Sequence, residues 1–71
     1  MNSNKLRGEI VAHGYSLSSF SDAIGIKRTA LYRKLKGITE FDRSEIERIA
    51  DALNLSAAQI KDIFFCSTSF F

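Results

Sequence analysis

The chain has one cysteine, no proline and no long apolar run, and these absences exclude several classes of protein. Cys66 alone cannot form an internal disulfide, and it excludes a zinc cluster built from several cysteines. No apolar stretch approaches the roughly 20 residues of a membrane-spanning helix, and the first ten residues are too polar for a signal peptide. The sequence also lacks repeats and low-complexity linkers, so we expect residues 1–71 to form a single domain.

The positive charges are concentrated in one segment, although the net charge of the whole chain is only +2. Residues 27–36, KRTALYRKLK, carry five positive charges and no negative one. Residues 1–26 are neutral overall, whereas residues 37–71 carry a net charge of −3. A basic segment in such a chain is the electrostatic pattern typical of a nucleic-acid-binding protein.

Apolar spacing and helix-start residues predict five short helices. The first four cover roughly residues 4–12, 17–24, 28–36 and 43–53, and the fifth begins after Ser56. In the first helix, Leu6, Ile10 and Val11 are expected to form the apolar stripe. No segment alternates between apolar and polar residues as a half-buried strand does. The predicted fold class is therefore all-α, a compact five-helix domain.

Three of these helices begin with recognisable capping residues. Ser16, Asp42 and Ser56 are predicted N-caps, and Glu45 and Gln59 complete capping boxes with the last two. Apolar residues on either side of each cap are spaced as a hydrophobic staple. The staple pairs are Tyr15 with Phe20, Phe41 with Ile46, and Leu55 with Ile60. The start signals agree with the apolar periodicity, which supports the helix boundaries.

The second and third helices are joined by a tight turn. Gly25 can adopt a positive φ, which allows the chain to reverse sharply between the helices. Ile26 is expected to lie under the corner, and the small Ser21 leaves room for the third helix to cross closely. Together these residues predict a helix-turn-helix.

Residues 14–37, GYSLSSFSDAIGIKRTALYRKLKG, resemble the helix-turn-helix of the phage repressor and Cro family. FDRSEI and ERIADALNLS extend this lambda-repressor-like resemblance over roughly residues 4–64. The resemblance implies a sequence-specific, double-stranded DNA-binding transcriptional regulator, a Cro-like repressor similar to those of bacteriophages and prophages. Residues 28–36 would be its recognition helix in the major groove.

The resemblance also implies roles for individual residues. The expected base-reading residues are Arg28, Thr29, Tyr32 and Arg33, with Tyr32 packing on a sugar or bonding to a phosphate. The expected contacts to the DNA backbone are Ser16, Ser18, Lys27, Lys36 and Arg43. Lys34 is expected either to contact the backbone as well or only to contribute to the positive electrostatic potential. The alternatives are a solvated basic face and, for Arg43, an ion pair with Glu47.

The chain departs from the family pattern at two positions. Leu17 stands where members usually have a glutamine that meets a phosphate, a contact that Ser16 or Ser18 would have to replace. Lys27 stands where the third helix usually opens with Ser or Thr. A lysine N-cap lacks a side-chain acceptor, which costs about 1 kcal/mol, and it places a cation at the positive end of the helix dipole. A bound phosphate would reverse that penalty, so we hypothesise that Lys27 favours DNA affinity over stability.

Phenylalanines are concentrated at the end of the chain. Phe64, Phe65, Phe70 and Phe71 lie in the last eight residues. We hypothesise that the fifth helix and residues 66–71 form a homodimer, because a palindromic operator needs two recognition helices about 34 Å apart. The alternative is that Phe64 belongs to the core and residues 66–71 are a disordered tail.

Other functions have weaker support in the sequence. The fold could serve as a protein-interaction module, such as an antitoxin or accessory factor, whereas an RNA binder would need more aromatic residues on the basic face. His13 and the serines of SLSSFS lack a third triad partner, and Glu45 and Glu47 do not face each other on a helix. We therefore expect no enzymatic activity, cofactor, metal, small-molecule ligand or membrane partner. The resemblance to phage regulators implies a cytoplasmic, nucleoid-associated protein of a bacterial host cell.

Overall fold

The computed structural model describes residues 1–65, which form five α-helices and no strand. The helices are α1 (Ser3–Ala12), α2 (Leu17–Ile24), α3 (Arg28–Leu35), α4 (Arg43–Leu53) and α5 (Ala57–Phe64). The predicted all-α fold class is confirmed, and the predicted helix boundaries differ by no more than one residue. Cys66 and the proposed arm at residues 66–71 lie outside the described residues.

Reciprocal side-chain caps explain why the helices start where they do. Asp42 Oδ1 accepts a hydrogen bond from the Glu45 amide at 2.8 Å, and Glu45 Oε1 accepts one from the Asp42 amide at 2.9 Å. Ser56 and Gln59 form the same arrangement, so both predicted capping boxes are confirmed. A third box, between Ser16 and Ser19, was not predicted from the sequence. Its partner is a serine rather than the Glu or Gln that the sequence pattern requires.

The core is built from every helix of the described chain. Its nine buried apolar residues are Leu6, Ile10, Phe20, Ile24, Leu31, Leu35, Ile49, Leu53 and Ile63. The predicted staple at α2 is confirmed, because the Tyr15 and Phe20 rings meet edge-on with centroids 5.1 Å apart. The prediction for Val11 was wrong, since its side chain is 71% exposed. Val11 follows Ile10 directly, and the helical rotation of about 100° per residue carries it off the buried stripe.

The two ends of the described chain are held together. The Asn2 amide donates to the Ile63 carbonyl at 2.7 Å, and Lys5 Nζ lies 3.3 Å from Asp62 Oδ2. These contacts fix α1 against α5, on top of the packing of Leu6 and Ile10 in the core. Among residues 1–65, the structure shows no helix with the length and apolar character needed to traverse a bilayer.

Candidate nucleic-acid interface

The turn between α2 and α3 has the geometry that the sequence predicts. Gly25 ends α2 in the left-handed region, with φ 75° and ψ 30°. The amide of the next residue, Ile26, donates to the Ser21 carbonyl at 3.0 Å. The residue that follows the helix therefore satisfies one of the carbonyls in its last turn. Ser21 is buried, and its hydroxyl donates to the Ser18 carbonyl at 2.7 Å. The small Ser21 side chain is therefore buried on α2 with its hydroxyl satisfied by its own helix.

Arg48 lies on α4, outside the helix-turn-helix, and binds the end of α2. Its Nη1 donates to the Ile24 carbonyl at 3.0 Å, and its Nη2 donates to Ser44 Oγ at 2.9 Å. The guanidinium thus binds a carbonyl at the C-terminus of α2, where the helix dipole favours a cation. The sequence analysis missed this residue, because a contact across 24 positions of the chain leaves no local signal.

Lys34 is turned away from the outer face of α3. Its Nζ lies 3.2 Å from Glu45 Oε1 and donates to the Glu40 carbonyl at 3.0 Å. The side chains of Lys34 and Glu45 are only 14% and 13% exposed. The ammonium also lies 5.7 Å from the centroid of the Phe41 ring. One of the five charges of residues 27–36 therefore joins α3 to the start of α4.

The opposite side of α3 is exposed. Leu31 and Leu35 are buried against the core, so the helix turns its other face to solvent. That face borders a groove of about 560 Å³ between α3 and the start of α2. The groove is lined by Ser16, Leu17, Ser18, Arg28, Thr29, Tyr32 and Arg33. The structure thus brings together all four predicted base-reading residues with two of the predicted backbone contacts.

The fold and the groove agree with a comparison to known families. A family model for a Cro/C1-type HTH DNA-binding domain matches residues 5–65, from within α1 to the end of α5. The chain belongs to this family. The predicted family is confirmed, and membership supports a DNA-binding regulator whose partner is double-stranded DNA. No curated protein and no solved structure shows a significant match to the chain.

The predicted backbone contacts of this Cro/C1-type domain differ in their surroundings. Ser16 Oγ accepts from the Ser19 amide at 3.1 Å and donates to Ser19 Oγ at 3.1 Å, so the cap already uses this hydroxyl. Within residues 1–65 the Ser18 hydroxyl makes no hydrogen bond, although it lines the same groove. Lys27 is exposed and provides no side-chain cap, as expected for a lysine at that position. Lys36 Nζ lies 4.7 Å from the centroid of the Tyr32 ring, at the far end of the exposed face.

Arg43 lies apart from the groove. It is the first residue of α4, and its Nε is 3.6 Å from Glu47 Oε2. The two side chains are 93% and 69% exposed, so the pair stabilises the helix only weakly. The structure therefore shows the ion pair that was the alternative for Arg43, and its contact with DNA stays a prediction.

The predicted dimer residues of the Cro/C1-type domain fall into three groups. Phe64 is half-buried, and its ring meets that of Phe41 edge-on with centroids 5.7 Å apart. Phe65 is 60% exposed and borders an open cleft on α4 and α5. Phe70 and Phe71 lie outside the described residues. Part of the proposed interface is thus engaged in the core, while Phe65 is available on the surface.

The residues that the sequence analysis considered for catalysis instead form hydrogen bonds at the ends of helices. His13 Nδ1 is hydrogen-bonded to the Glu9 carbonyl at 2.9 Å at the end of α1, and Ser16 and Ser19 form the cap of α2. Glu45 is held by its own cap and by Lys34. Among residues 1–65, no three His, Cys, Asp or Glu side chains form a group suited to a metal ion.

Proposed function

We propose that this chain is a sequence-specific transcriptional regulator that acts as a Cro-like repressor, with α3 as its recognition helix in the major groove. The observation that carries the proposal is the shared exposure of Arg28, Thr29, Tyr32 and Arg33 along one groove. Within residues 1–65 their side chains form no hydrogen bond with the rest of the protein. Among the described residues, no partner therefore competes with DNA for their donors.

The chemistry of these residues suits base recognition. Each guanidinium can donate two hydrogen bonds to O6 and N7 of a guanine, and the methyl group of Thr29 can contact that of a thymine. Tyr32 is expected to pack on a sugar or to donate to a phosphate. Arg28 and Arg33 lie five positions apart on α3, so they are expected to read different base pairs.

Charged and polar residues around the groove are expected to bind the DNA backbone. Ser18, Lys27 and Lys36 are the strongest candidates. Within residues 1–65 their side chains are exposed and form no hydrogen bond or ion pair, and the Lys36 ammonium above the Tyr32 ring keeps its donors. Ser16 and Arg43 are weaker candidates, since each already has an intramolecular partner. Backbone contacts of this kind would make the affinity fall steeply with salt concentration.

A palindromic operator and a two-fold dimer complete the proposal. The exposed Phe65 and the apolar cleft formed by Ile46, Ala50 and Ile60 support an interface at α4, α5 and residues 66–71. Sedimentation of the chain truncated after Phe65 tests whether residues 66–71 contribute to the dimer. A dimer that is unchanged in the truncated chain would reject that contribution. The resemblance of residues 14–37 further suggests a regulator of phage or prophage type in the cytoplasm of a bacterial host.

The decisive experiment is a binding-site selection on random duplex DNA. We expect a palindromic consensus, and we expect Arg28→Ala with Arg33→Ala to abolish specific binding while the helical circular dichroism is unchanged. The control is Arg7→Ala with Lys61→Ala, which removes the same charge from α1 and α5 and leaves the Lys5–Asp62 pair intact. Equal losses in both double variants would show that only the overall charge matters.

The second candidate is a protein-interaction module, and the cleft beside Phe65 favours it. Glu47 and Asp51 border this apolar cleft together with Arg43, which is paired with Glu47, so the net charge at the cleft is negative and would favour a basic partner. In that case the Arg28→Ala, Arg33→Ala variant would keep its activity in the host cell, whereas Ile60→Ser on the cleft would lose it.

A further inference from the structure

Leu17 gives the groove an apolar side chain among cationic ones. It is the first residue of α2, and it lines the groove together with Arg28, Thr29 and Arg33. The side chain is half-buried and packs against the core, so its position is fixed by the fold. The groove is therefore bordered by two guanidinium groups but also contains an aliphatic surface that can form no hydrogen bond.

The charges around the groove indicate a nucleic acid as its occupant. Arg28 and Arg33 border the groove, and Lys27 and Lys36 flank α3 at its two ends. These four cations favour an anionic partner over an apolar protein segment. A nucleic acid that faces them would also lie against the aliphatic side chain of Leu17.

The major groove of DNA displays one such group, the C5-methyl of thymine. We propose that Leu17 and the methyl group of Thr29 seat the C5-methyl group of a specific thymine in each half-site of the operator. This inference rests on the proposed function and makes Leu17 a specificity-determining residue. A deoxyribose could also contact Leu17, but it would do so in every sequence and would contribute no specificity.

Replacement of thymine by uracil in the selected operator tests the proposal, because it removes only the methyl group. We expect one thymine per half-site at which uracil weakens binding of the unmodified protein about fourfold, which corresponds to burial of one methyl-sized group at about 0.8 kcal/mol. In Leu17→Ala the same replacement should have no effect. Leu17→Met, which keeps an apolar side chain of similar volume, should retain the uracil sensitivity.

A control variant and a second test variant sharpen the experiment. The control, Val11→Ala, shortens an exposed apolar residue on α1 and should leave the uracil sensitivity unchanged. The second test variant, Thr29→Ser, removes the other methyl group of the proposed seat but keeps the hydroxyl, and it should reduce the uracil sensitivity. The inference is overturned if no thymine is sensitive, if Leu17→Ala is as sensitive as the unmodified protein, or if only Thr29→Ser abolishes the effect. A selection that yields no duplex site would overturn the proposed function as well, whereas a site without uracil sensitivity overturns this inference alone.

Discussion

Arg48 on α4 donates a hydrogen bond to the carbonyl of Ile24, the last residue of α2. One turn earlier on α4, Glu45 accepts the ion pair from Lys34 near the end of α3. The fourth helix thus contacts the helix-turn-helix twice, at the end of α2 before the turn and near the end of α3 after it. We infer that α4 sets the angle at which α3 is presented.

Arg48→Met should weaken DNA binding more than its effect on stability explains. The variant keeps an unbranched side chain but removes two hydrogen bonds, which we expect to lower the free energy of unfolding by about 1–2 kcal/mol. Without the bond to Ile24, the start of α3 is less well held. Denaturant unfolding and DNA titration at a temperature where the variant is folded would measure the two effects. Lys61→Met on α5, which removes one charge from an exposed residue away from the groove, is the control. An unchanged affinity for Arg48→Met would reject the positioning role.

The Lys34–Glu45 pair should contribute measurably to stability. A double-mutant cycle with Lys34→Met and Glu45→Gln should give a coupling energy of about 1 kcal/mol, at the upper end for exposed pairs, because both side chains are largely shielded. Glu45→Gln keeps an oxygen that can accept from the Asp42 amide, so the cap survives. The matched control is the exposed pair Arg43–Glu47, for which we expect about 0.3 kcal/mol. Equal couplings would show that burial does not strengthen the Lys34 pair.

Lys27→Ser should separate stability from DNA affinity. Serine supplies the acceptor that the N-terminus of α3 lacks, so the free energy of unfolding should rise by about 1 kcal/mol. Loss of the cation should weaken DNA binding and reduce the slope of log affinity against log salt by about one. Thermal unfolding and DNA titration over a range of salt concentrations measure both. Unchanged affinity would reject the hypothesis that Lys27 binds a phosphate.

Two glycines should respond to alanine in opposite directions. Gly25→Ala places a Cβ on a residue with φ 75° and 3.5 Å from Arg48 Nη1, and we expect a loss of about 1–2 kcal/mol of stability. Gly8 lies inside α1 with no atom within 4 Å of an added Cβ. Gly8→Ala should stabilise the domain by about 0.5–1 kcal/mol, because alanine favours a helix. Unfolding midpoints compare the two variants, and a loss at Gly8 would contradict this account.

Local features of this fold could be predicted from the sequence, whereas contacts between distant residues could not. The caps at Asp42 and Ser56 and the turn at Gly25 depend on neighbours within a few positions, which the sequence displays directly. The exposed face of α3 followed from the four-residue spacing of Leu31 and Leu35. The roles of Arg48 and Lys34 depend on how α4 packs against α2 and α3, and nothing near either residue indicates its partner.

The outward side chains of α3 at positions 28, 29, 32 and 33 form no side-chain hydrogen bond within residues 1–65, while the buried leucines and Lys34 attach the helix to the domain. Under the proposed function, binding preference and folding are therefore encoded by different residues of one short helix. An operator of different sequence could be recognised after a few substitutions at the outward positions, with little change in the unfolding midpoint. Regulators that diverge on this scaffold can acquire separate targets without first acquiring extra stability.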